Sequence, residues 1–367
     1  MSLENLLSDR VSKWMEGDGP ASEVVLSSRI RLARNLQGYP YPTQMNEQEA
    51  ERLLHQLQEI LPELRRRNSG EPLGDLRFSK LSDLTGLERQ VLVDYHLISP
   101  QHARSQAGTA VLVNKQQSIS IMVNEEDHLR IQCLLPGFQL ETAWKLADQV
   151  DDALEQHLDL SFDEELGYLT TCPTNTGTGL RASVMMHLPG LVRSKQVHGV
   201  VSALAKVGMV VRGMYGEGSE PIGNVFQISN QLTLGQSEKD ILRNLIGVCQ
   251  QLIERERSLR EKLYQERRLQ IEDQVSRAYG ILTHARVISS DEAITLLSHM
   301  RLGIDLNILS HIDKDVFNEL IVTTRPAYLQ YQAGQELSAA ERDVRRATQI
   351  RQTLARAVKR FNDTKEA

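Results

Sequence analysis

Two segments in which polar and apolar residues alternate place the strongest constraint on how this chain can fold. Residues 24–34 read VVLSSRIRLAR and residues 118–124 read SISIMVN. A period of two residues predicts β-strands with one apolar and one polar face. In the first strand it places Arg29 and Arg31 on one side, roughly 6–7 Å apart. That spacing would suit neighbouring phosphate groups, but two arginines could equally form the solvated face of an edge strand.

Elsewhere the spacing of apolar residues predicts helices. Helical patterns cover residues 46–67, 137–160 and most of 270–365, and residues 199–211 predict a helix followed by a strand. Ten of the fifteen residues at 254–268 are charged with alternating sign, which is typical of a solvated helix. The chain therefore combines strands and helices over most of its length and is helical near its C-terminus.

Composition excludes several classes of function. The 42 Lys and Arg residues and 48 Asp and Glu residues give a net charge of −6, which argues against general nucleic-acid binding. Cys133, Cys172 and Cys249 form no CxxC pair, so neither a disulfide framework nor a zinc site is indicated. No apolar stretch approaches the roughly 20 residues of a membrane span, and residues 1–11 lack a signal-peptide pattern. We expect a cytoplasmic protein without membrane or nucleic-acid partners.

Residues 167–187, GYLTTCPTNTGTGLRASVMMH, contain the strongest candidates for chemistry. The pattern predicts a strand over residues 168–171 that ends beside Cys172, followed by a loop whose glycines let the backbone approach a ligand. Arg181 then begins a second apolar run, where its guanidinium could hold phosphate oxygens with two donors. A lone cysteine is more often an ordinary buried residue than a reactive thiolate, so the pattern alone leaves both interpretations open.

This stretch resembles the phosphagen (guanidino) kinases, which carry a nearly identical CPTN-x-GT-x-x-RASV segment. Here the segment runs over residues 172–184. Three further segments are similar to the same family: SSRIR at 27–31, LERQVLVDYHLISP at 87–100 and NEEDHLR at 124–130. The resemblance implies an α+β fold with a mostly antiparallel sheet flanked by helices. It also implies an enzyme that uses ATP and Mg²⁺ to phosphorylate a guanidinium group.

The resemblance implies a role for individual residues. Glu126 and Glu217 would bind the acceptor guanidinium, one of them would take its proton, and Cys172 would lie beside them as a thiolate. No GxxxxGK[ST] motif is present, so the phosphates would be surrounded by arginines rather than by a P-loop. Mg²⁺ would be carried by the nucleotide, with no metal site on the protein. The residues expected to bind the nucleotide are Ser27, Ser28, Arg29, Ile30, Arg31, His96, Arg130, Arg181, Ala182, Ser183, Val184, Met185, Arg212, Gly213, Met214, Tyr215, Gly216 and Glu217.

The acidic run after the second alternating segment is open to several interpretations. If the alternation continues, Glu126 lies on the polar face of the strand and Glu125 on the apolar face. Residues 125–127 could instead form a solvated turn, or a metal site together with His128. The family's similar NEEDH-x-R run favours chemistry at Glu126 and phosphate binding at Arg130.

The C-terminal region is similar to that of the bacterial protein-arginine kinases, a branch of the same family with an RD-x-x-RA motif. The motif spans residues 342–347 here. Arg342 and Arg346 share a helix face near Asp343, and the ordinary interpretation is an exposed ion pair of little energetic value. The resemblance implies instead that these three residues bind phosphoarginine. It also implies a kinase for arginine residues in proteins; a small-molecule guanidino kinase and a non-catalytic phosphoarginine reader are the alternatives.

The same resemblance implies how the chain is divided. A short N-terminal segment (1–22) would precede a catalytic domain (23–258), a helical connector (259–269) and a helical domain for phosphoarginine binding and dimerisation (270–367). Only 28 residues precede Arg29, where phosphagen kinases have a whole helical domain. We therefore expect the site to be open on its guanidinium side.

Partners are likewise implied by the resemblance and by nothing in the composition. They would be protein substrates with exposed arginines, such as stress repressors and unfolded clients, marked for regulation or for Clp-type degradation. A zinc-binding activator protein and a Clp-type unfoldase would act with the chain, and the C-terminal helices would form a homodimer.

Overall fold

A computed structural model describes residues 12–213, apart from 69, 71 and 106, and residues 222–366. Its centre is an antiparallel sheet, as the family resemblance implies, and the two alternating segments form strands of it. The strands of this sheet are Val25–Arg34 (β1), Arg77–Lys80 (β2), Ala110–Val113 (β3), Ile119–Val123 (β4), Leu129–Pro136 (β5), Leu180–His187 (β8), Met209–Arg212 (β9) and Val225–Asn230 (β10). Their order is β2-β3-β4-β5-β1-β8-β10-β9. Phe162–Asp163 (β6) and Gly167–Tyr168 (β7) form a separate hairpin.

Helices flank the sheet and form the C-terminal region, which confirms the predicted α+β class. They are Glu47–Arg67 (α1), Gly86–Asp94 (α2), Leu140–Glu155 (α3), Pro189–Arg193 (α4), Val197–Lys206 (α5), Glu238–Glu266 (α6), Arg268–His284 (α7), Ser290–Asp305 (α8), Asp315–Thr323 (α9), Pro326–Ala333 (α10) and Ala339–Glu366 (α11). In the part of the chain that the structure describes, no helix is long and apolar enough to cross a membrane. At the start of α1, Asn46 and Glu49 form a capping box, which satisfies two backbone N–H groups of the first turn.

The two faces of the sheet have different neighbours. One face carries Ile30, Leu32 and Ala182, which join a core with apolar residues of α1, α3 and α6. On the other face, Met122 and Met185 join a second core that contains α2 and apolar residues of α7 to α11. Polar side chains of the central strands occupy the rest of this second face, which is where the candidate site lies.

The strand predicted over residues 168–171 is wrong in extent, because only Gly167–Tyr168 is extended and paired. The chain turns immediately afterwards. Thr170 Oγ1 donates to the carbonyl oxygen of Cys172 at 2.7 Å, and the N–H of Tyr168 donates to the oxygen of Gly177 at 2.8 Å. The threonine-rich sequence thus closes a compact loop on β7 instead of lengthening it.

The predicted solvated helix at 254–268 is wrong for one of its faces. Helix α6 includes residues 254–266, and within it Glu256 is fully buried and Arg260 is 5% exposed. Arg260 Nε donates to Glu256 Oε1 at 2.7 Å, and Arg260 Nη1 donates to Asp305 Oδ2 at 3.0 Å. Arg301 pairs with the same Asp305 at 3.0 Å. We call these four side chains the buried ion network.

The buried ion network joins the C-terminal helices to the ends of two central strands of the sheet, β1 and β8. Arg260 also donates to the carbonyl oxygens of Glu23, just before β1, and His187, at the end of β8. Glu256 accepts hydrogen bonds from the N–H groups of Gly190 and Leu191 in α4. The charged residues on the buried face of α6 are therefore bonded to partners that are distant in the sequence, and they are not solvated.

Candidate active site

A cleft of about 450 Å³ opens on the polar part of the second sheet face. Its walls come from β1, β4, β5, β8, β9 and β10, from the end of α2, from the turns after β4 and α2, and from the loop after β7. Eight residues that the sequence predicted from separate segments line this one cleft: Arg29, Arg31, His96, Glu126, Arg130, Cys172, Arg181 and Arg212.

Strand register explains why the arginines converge. Arg31 of β1 lies directly opposite Arg181 of β8, and on its other side it lies opposite Gln132 of β5. Arg212 of β9 lies opposite Gln227 of β10. Like charges placed directly opposite each other destabilise a sheet. An arrangement of this kind is expected where a negatively charged ligand binds between the strands.

The electrostatics of the cleft support this interpretation. Burial, Arg130 and Arg181 lower the pKa of Arg29 to about 10. The pKa of Arg31 is lowered well below its ordinary value by burial and by its three arginine neighbours. Arg31 Nε is buried and has no hydrogen-bond partner among the residues that the structure describes. A polyanion would supply both the missing acceptor and the missing negative charge.

Two glutamines and a serine position Arg29 and His96. Arg29 Nη2 donates to Gln227 Oε1 at 2.6 Å, and its Nε lies 3.4 Å from the hydroxyl of Ser183. Gln132 Nε2 donates to the carbonyl oxygen of His96 at 2.7 Å, which anchors the left-handed turn at His96. Burial and the charge of Arg29 lower the pKa of His96 to about 3, so its ring is neutral.

The sequence analysis missed several residues of the cleft. Besides the two glutamines, Arg104, Thr174 and Asn175 line it. The glutamines could have been found from strand alternation, because each stands two residues from another polar residue of its strand. Arg104 carries no such signal, since it follows a short irregular segment after α2.

The continued alternation predicted for the acidic run is wrong. Asn124 has a φ of 57°, so the strand ends at Val123 and a turn begins. Glu125 consequently faces the cleft, where its carboxylate pairs with Arg130 at 2.5 Å and accepts from Ser99 Oγ at 2.5 Å. Burial opposes its ionisation, but Arg130 and Ser99 outweigh burial and hold the pKa of Glu125 below its ordinary value.

Glu126 differs from its neighbour in its environment. It is half-buried in the cleft, and burial raises its pKa; Asp127 and Glu125 act in the same direction, while Arg130 partly offsets them. A carboxylate with a raised pKa is a better proton acceptor than an ordinary surface glutamate. Of the two glutamates that line the cleft, Glu126 is therefore the better candidate base.

The remaining members of the acidic run hold loops together. Asp127 Oδ1 accepts from Asn35 Nδ2 and from the N–H of Thr171, both at 2.7 Å. His128 Nδ1 accepts from the N–H of Leu36 at 3.0 Å. Within the described ranges, no group of three or more His, Cys, Asp or Glu side chains is arranged to hold a metal ion. The metal-site interpretation of this run therefore has no support.

Cys172 lies at the mouth of the cleft in the loop that follows β7. It is partly exposed, and its Sγ lies 3.1 Å from Thr174 Oγ1. The loop glycines serve packing against protein rather than approach to a ligand. Gly177 has a φ of 111°, and a Cβ there would lie 2.4 Å from the carbonyl oxygen of Thr233.

Not all the residues predicted to bind a nucleotide face the cleft. Ser28, Ile30, Ala182 and Val184 point to the opposite side of the sheet; Ser28 Oγ donates to the oxygen of Gly137. The pleat of the strands causes this, since neighbours in a strand point to opposite faces. Ser27, Ser183 and Met185 line a small recess next to Arg29 and His96. Gly213 lies buried just beyond β9, whereas Met214, Tyr215, Gly216 and Glu217 lie outside the described residues.

The C-terminal motif lies away from the cleft, at the start of α11. Arg346 is buried and donates to the carbonyl oxygens of Thr324 and Ile288, both at 2.9 Å, and pairs with Asp343 at 2.5 Å. Arg342 is partly exposed, and its Nη1 donates to the oxygen of Leu337 at 2.7 Å. Arg346 thus ties helices together, while Arg342 and Asp343 remain accessible at the surface.

Comparison with known proteins identifies two families along the chain. Residues 58–259 match the ATP:guanido phosphotransferase C-terminal catalytic domain, and residues 268–365 match the protein-arginine kinase McsB C-terminal domain. A protein-arginine kinase from Moorella thermoacetica is 52% identical over 347 residues, which cover 95% of this chain and 98% of the relative. One from Symbiobacterium thermophilum is 54% identical over 355 residues, covering 97% of this chain and all of the relative.

Solved structures with a similar fold are phosphagen kinases. A lombricine kinase superposes with a TM-score of 0.57 at 25% identity, covering 66% of this chain and 68% of that chain. The duplicated taurocyamine kinase from Schistosoma mansoni, solved with transition-state analogue components, superposes with a TM-score of 0.56 at 26% identity. That match covers 65% of this chain and 34% of the other.

Proposed function

The chain belongs to the protein-arginine kinases of the ATP:guanido phosphotransferase family, and we propose that the cleft is where it transfers the γ-phosphoryl group of ATP to arginine residues in proteins. The observation that carries this proposal is the convergence of the five predicted arginines with the half-buried Glu126 in one cleft, which Arg104 also lines. The arginines match the phosphates of a nucleotide, and the carboxylate matches a guanidinium.

The cationic wall fits ATP. Arg29, Arg31, Arg130, Arg181 and Arg212 would surround a ligand whose charge is roughly −4, and they would stabilise the charge that spreads over the transferred group. The buried Arg31 Nε would gain an acceptor from a phosphate oxygen. Mg²⁺, when bound with the nucleotide, would neutralise part of the phosphate charge. The described acids are not clustered to hold that ion, so the nucleotide would carry it.

The acidic side of the cleft fits the acceptor. A guanidinium has a pKa above about 12 and is a poor nucleophile while protonated. Glu126 would orient it and accept its proton as the N–P bond forms and the bond from the γ-phosphorus to the bridging oxygen of ADP breaks. Cys172, which also lines the cleft, would contact the acceptor. Glu217, which lies outside the described residues, would make a second contact with the acceptor guanidinium.

Arg31→Met is expected to separate ligand binding from stability. The change removes a charge-assisted contact worth about 1.5–3 kcal/mol, so ATP affinity should fall at least about tenfold. It also removes a buried like-charge repulsion, so the thermal midpoint of the nucleotide-free protein should stay level or rise. Calorimetric titration and thermal unfolding measure the two effects. Arg66→Met, on the exposed face of α1, is the control and should change neither; unchanged ATP affinity in Arg31→Met would contradict the proposal.

The function itself is tested with ATP, Mg²⁺ and three acceptors: free arginine, a folded protein and the same protein unfolded. Acid-labile phosphate is then measured on each acceptor. We expect it on protein arginines. Phosphorylation of free arginine alone would establish the small-molecule alternative, and the absence of any transfer would leave only a non-catalytic reader.

We propose that the C-terminal motif binds phosphoarginine. This proposal is supported by the accessibility of two neighbouring side chains of opposite charge, Arg342 and Asp343. An arginine suits the phosphoryl oxygens, and a carboxylate suits the remaining guanidinium N–H groups. In the full chain, Arg342→Ala with Asp343→Ala should remove one class of phosphoarginine binding detected by calorimetry. Arg345→Ala on the same helix should leave that binding intact. Equal binding by all three proteins would return the motif to an ordinary helix surface.

Further partners rest on the family resemblance alone. They are stress repressors and unfolded proteins as substrates, a zinc-binding activator, a Clp-type unfoldase and a second copy of the chain in a homodimer. Copurification of the full chain with each candidate would test these proposals.

A further inference from the structure

Exposed apolar side chains in the catalytic part of the molecule are concentrated beside the cleft. Among the described residues up to the end of α6, six large apolar side chains are exposed, and five lie around the loop that carries Cys172. These five, which we call the apolar rim, are Phe162, Leu166, Val207, Leu232 and Leu234. Each is between 47% and 60% exposed. Such a concentration of exposed apolar surface is typical of an interaction site.

Two members of the apolar rim are fixed directly to the wall of the cleft. Thr233, between Leu232 and Leu234, donates from Oγ1 to the carbonyl oxygens of Thr174 at 2.9 Å and Thr176 at 2.7 Å. The N–H of Thr178 donates back to the oxygen of Thr233 at 3.1 Å. Thr174 itself lines the cleft. The segment that carries the two leucines therefore packs directly against the segment that forms the wall of the cleft.

The other members extend the apolar rim on both sides. The β6–β7 hairpin is tied to the loop through Tyr168 and Gly177, and the ring of Phe162 packs 5.1 Å from that of Tyr168. Leu166 lies in the turn of the same hairpin. On the far side, Leu232 lies close to Gly208, the neighbour of Val207. The apolar rim thus forms one border of the acceptor side of the cleft.

The acceptor of the proposed reaction is an arginine in a polypeptide, and the rest of that polypeptide must pass over the apolar rim. An arginine that reaches Glu126 is part of a polypeptide, so the residues next to it must cross the mouth. The hairpin turn also presents the exposed acids Glu164 and Glu165, which complement a cationic segment. The border therefore offers apolar contact and negative charge together.

From this geometry we propose that the apolar rim binds apolar side chains that flank the acceptor arginine. The inference rests on the proposed function and adds the residues that would recognise the sequence around the acceptor, namely an arginine whose apolar neighbours are accessible. In folded proteins those neighbours are mostly buried. The apolar rim would thus select apolar segments that are buried in a folded protein and accessible in an unfolded one. Glu126 would select the guanidinium.

Two peptides with a single arginine test the inference, one flanked by Leu and Phe and the other by Ser and Gly. The measured quantity is the ratio of their kcat/KM values. We expect the full-length enzyme to prefer the apolar peptide and Leu232→Ser with Leu234→Ser to lower that ratio about tenfold, as expected for lost apolar contacts. Leu232→Met with Leu234→Met should retain the preference. Leu269→Ser, at a position 81% exposed on α7, is the matched control and should leave the ratio unchanged.

The other outcomes overturn the inference in distinguishable ways. Equal use of both peptides by the unchanged enzyme would refute the apolar rim while leaving the proposed function intact. An equal loss for both peptides in the serine variant would mean that the leucines only support the Cys172 loop. A change of oligomeric state in that variant, measured by light scattering, would make the rim a contact between copies. Transfer to neither peptide nor to any protein would overturn the proposed function as well.

Discussion

Replacing Glu126 by glutamine is expected to lower phosphoryl transfer by about 10²–10⁴-fold, the usual contribution of a positioned general base. Glutamine keeps the shape of the side chain but can neither accept the proton nor balance the charge of the guanidinium. ATP affinity should stay nearly constant, because the proposed phosphate contacts are made by arginines of the cleft and not by Glu126. Single-turnover transfer and nucleotide titration measure the two quantities separately.

The pH profile makes this prediction specific to the base. A carboxylate acts as a base only when ionised, so transfer should fall as the pH drops through the pKa of Glu126. Since burial raises that pKa, the loss should occur above the pH of about 4.3 expected for an ordinary glutamate. The glutamine variant should lack this acidic limb. Glu59→Gln, on the exposed side of α1, should keep both the rate and the profile; a Glu126 variant with more than about a tenth of the normal rate would exclude the role as base.

Arg260→Met is expected to destabilise the folded chain by about 3–5 kcal/mol, as breaking a buried ion pair from one side does. Arg260 fills the space between Glu256 and Asp305, and it also donates to two backbone oxygens. Methionine would occupy much of the volume but would leave the buried Glu256 without its arginine partner and Asp305 with Arg301 alone. Urea unfolding followed by circular dichroism measures the change in the free energy of unfolding.

The dependence of this effect on pH has a definite sign. Burial already raises the pKa of Glu256 and of Asp305 despite their arginine partners. Without Arg260 both values should rise further. A group whose pKa is higher in the folded state contributes stability at low pH that is lost as the pH rises. The variant should therefore be least stable, relative to the original protein, at pH 8.

The matched control for Arg260 is Arg277→Met on α7. Arg277 pairs with Asp273 at 2.7 Å, but both side chains are exposed, and such pairs contribute about 1 kcal/mol or less. Similar losses in the two variants would mean that the buried ion network contributes no more than a surface ion pair.

Strand alternation predicted much of the candidate site because most of the arginines that line the cleft lie in regular strands. Arg29 and Arg31 were placed on the same face, and the structure confirms that placement. The prediction failed at Glu125, where one residue with a positive φ ends the strand and reorients the side chains that follow. The alternation of polar and apolar residues does not show where a strand ends when the turn residue, here Asn124, also fits the alternating pattern.

The sequence pattern also failed to predict which charged side chains are buried. The pattern of α6 is that of a solvated helix, and for most of its charged residues that is correct. Arg260 differs only because Asp305 meets it from a helix 45 residues further along the chain. The loop glycines show the same limit, since Gly177 is required by the backbone of Thr233 and not by a ligand. Contacts between distant segments decided each of these cases.

The strand order has a consequence for how the enzyme is made. The central strands β5, β1, β8 and β10 are neighbours in space, yet they are contributed by segments that begin at Val25 and end at Asn230. During synthesis, β1 must wait for β8 before Arg31 meets Arg181, and Arg29 must wait for Gln227 of β10. A nascent chain therefore cannot assemble the cationic wall until more than half of it has left the ribosome. A nascent chain that has not yet released β10 would therefore lack the complete site proposed for phosphoryl transfer.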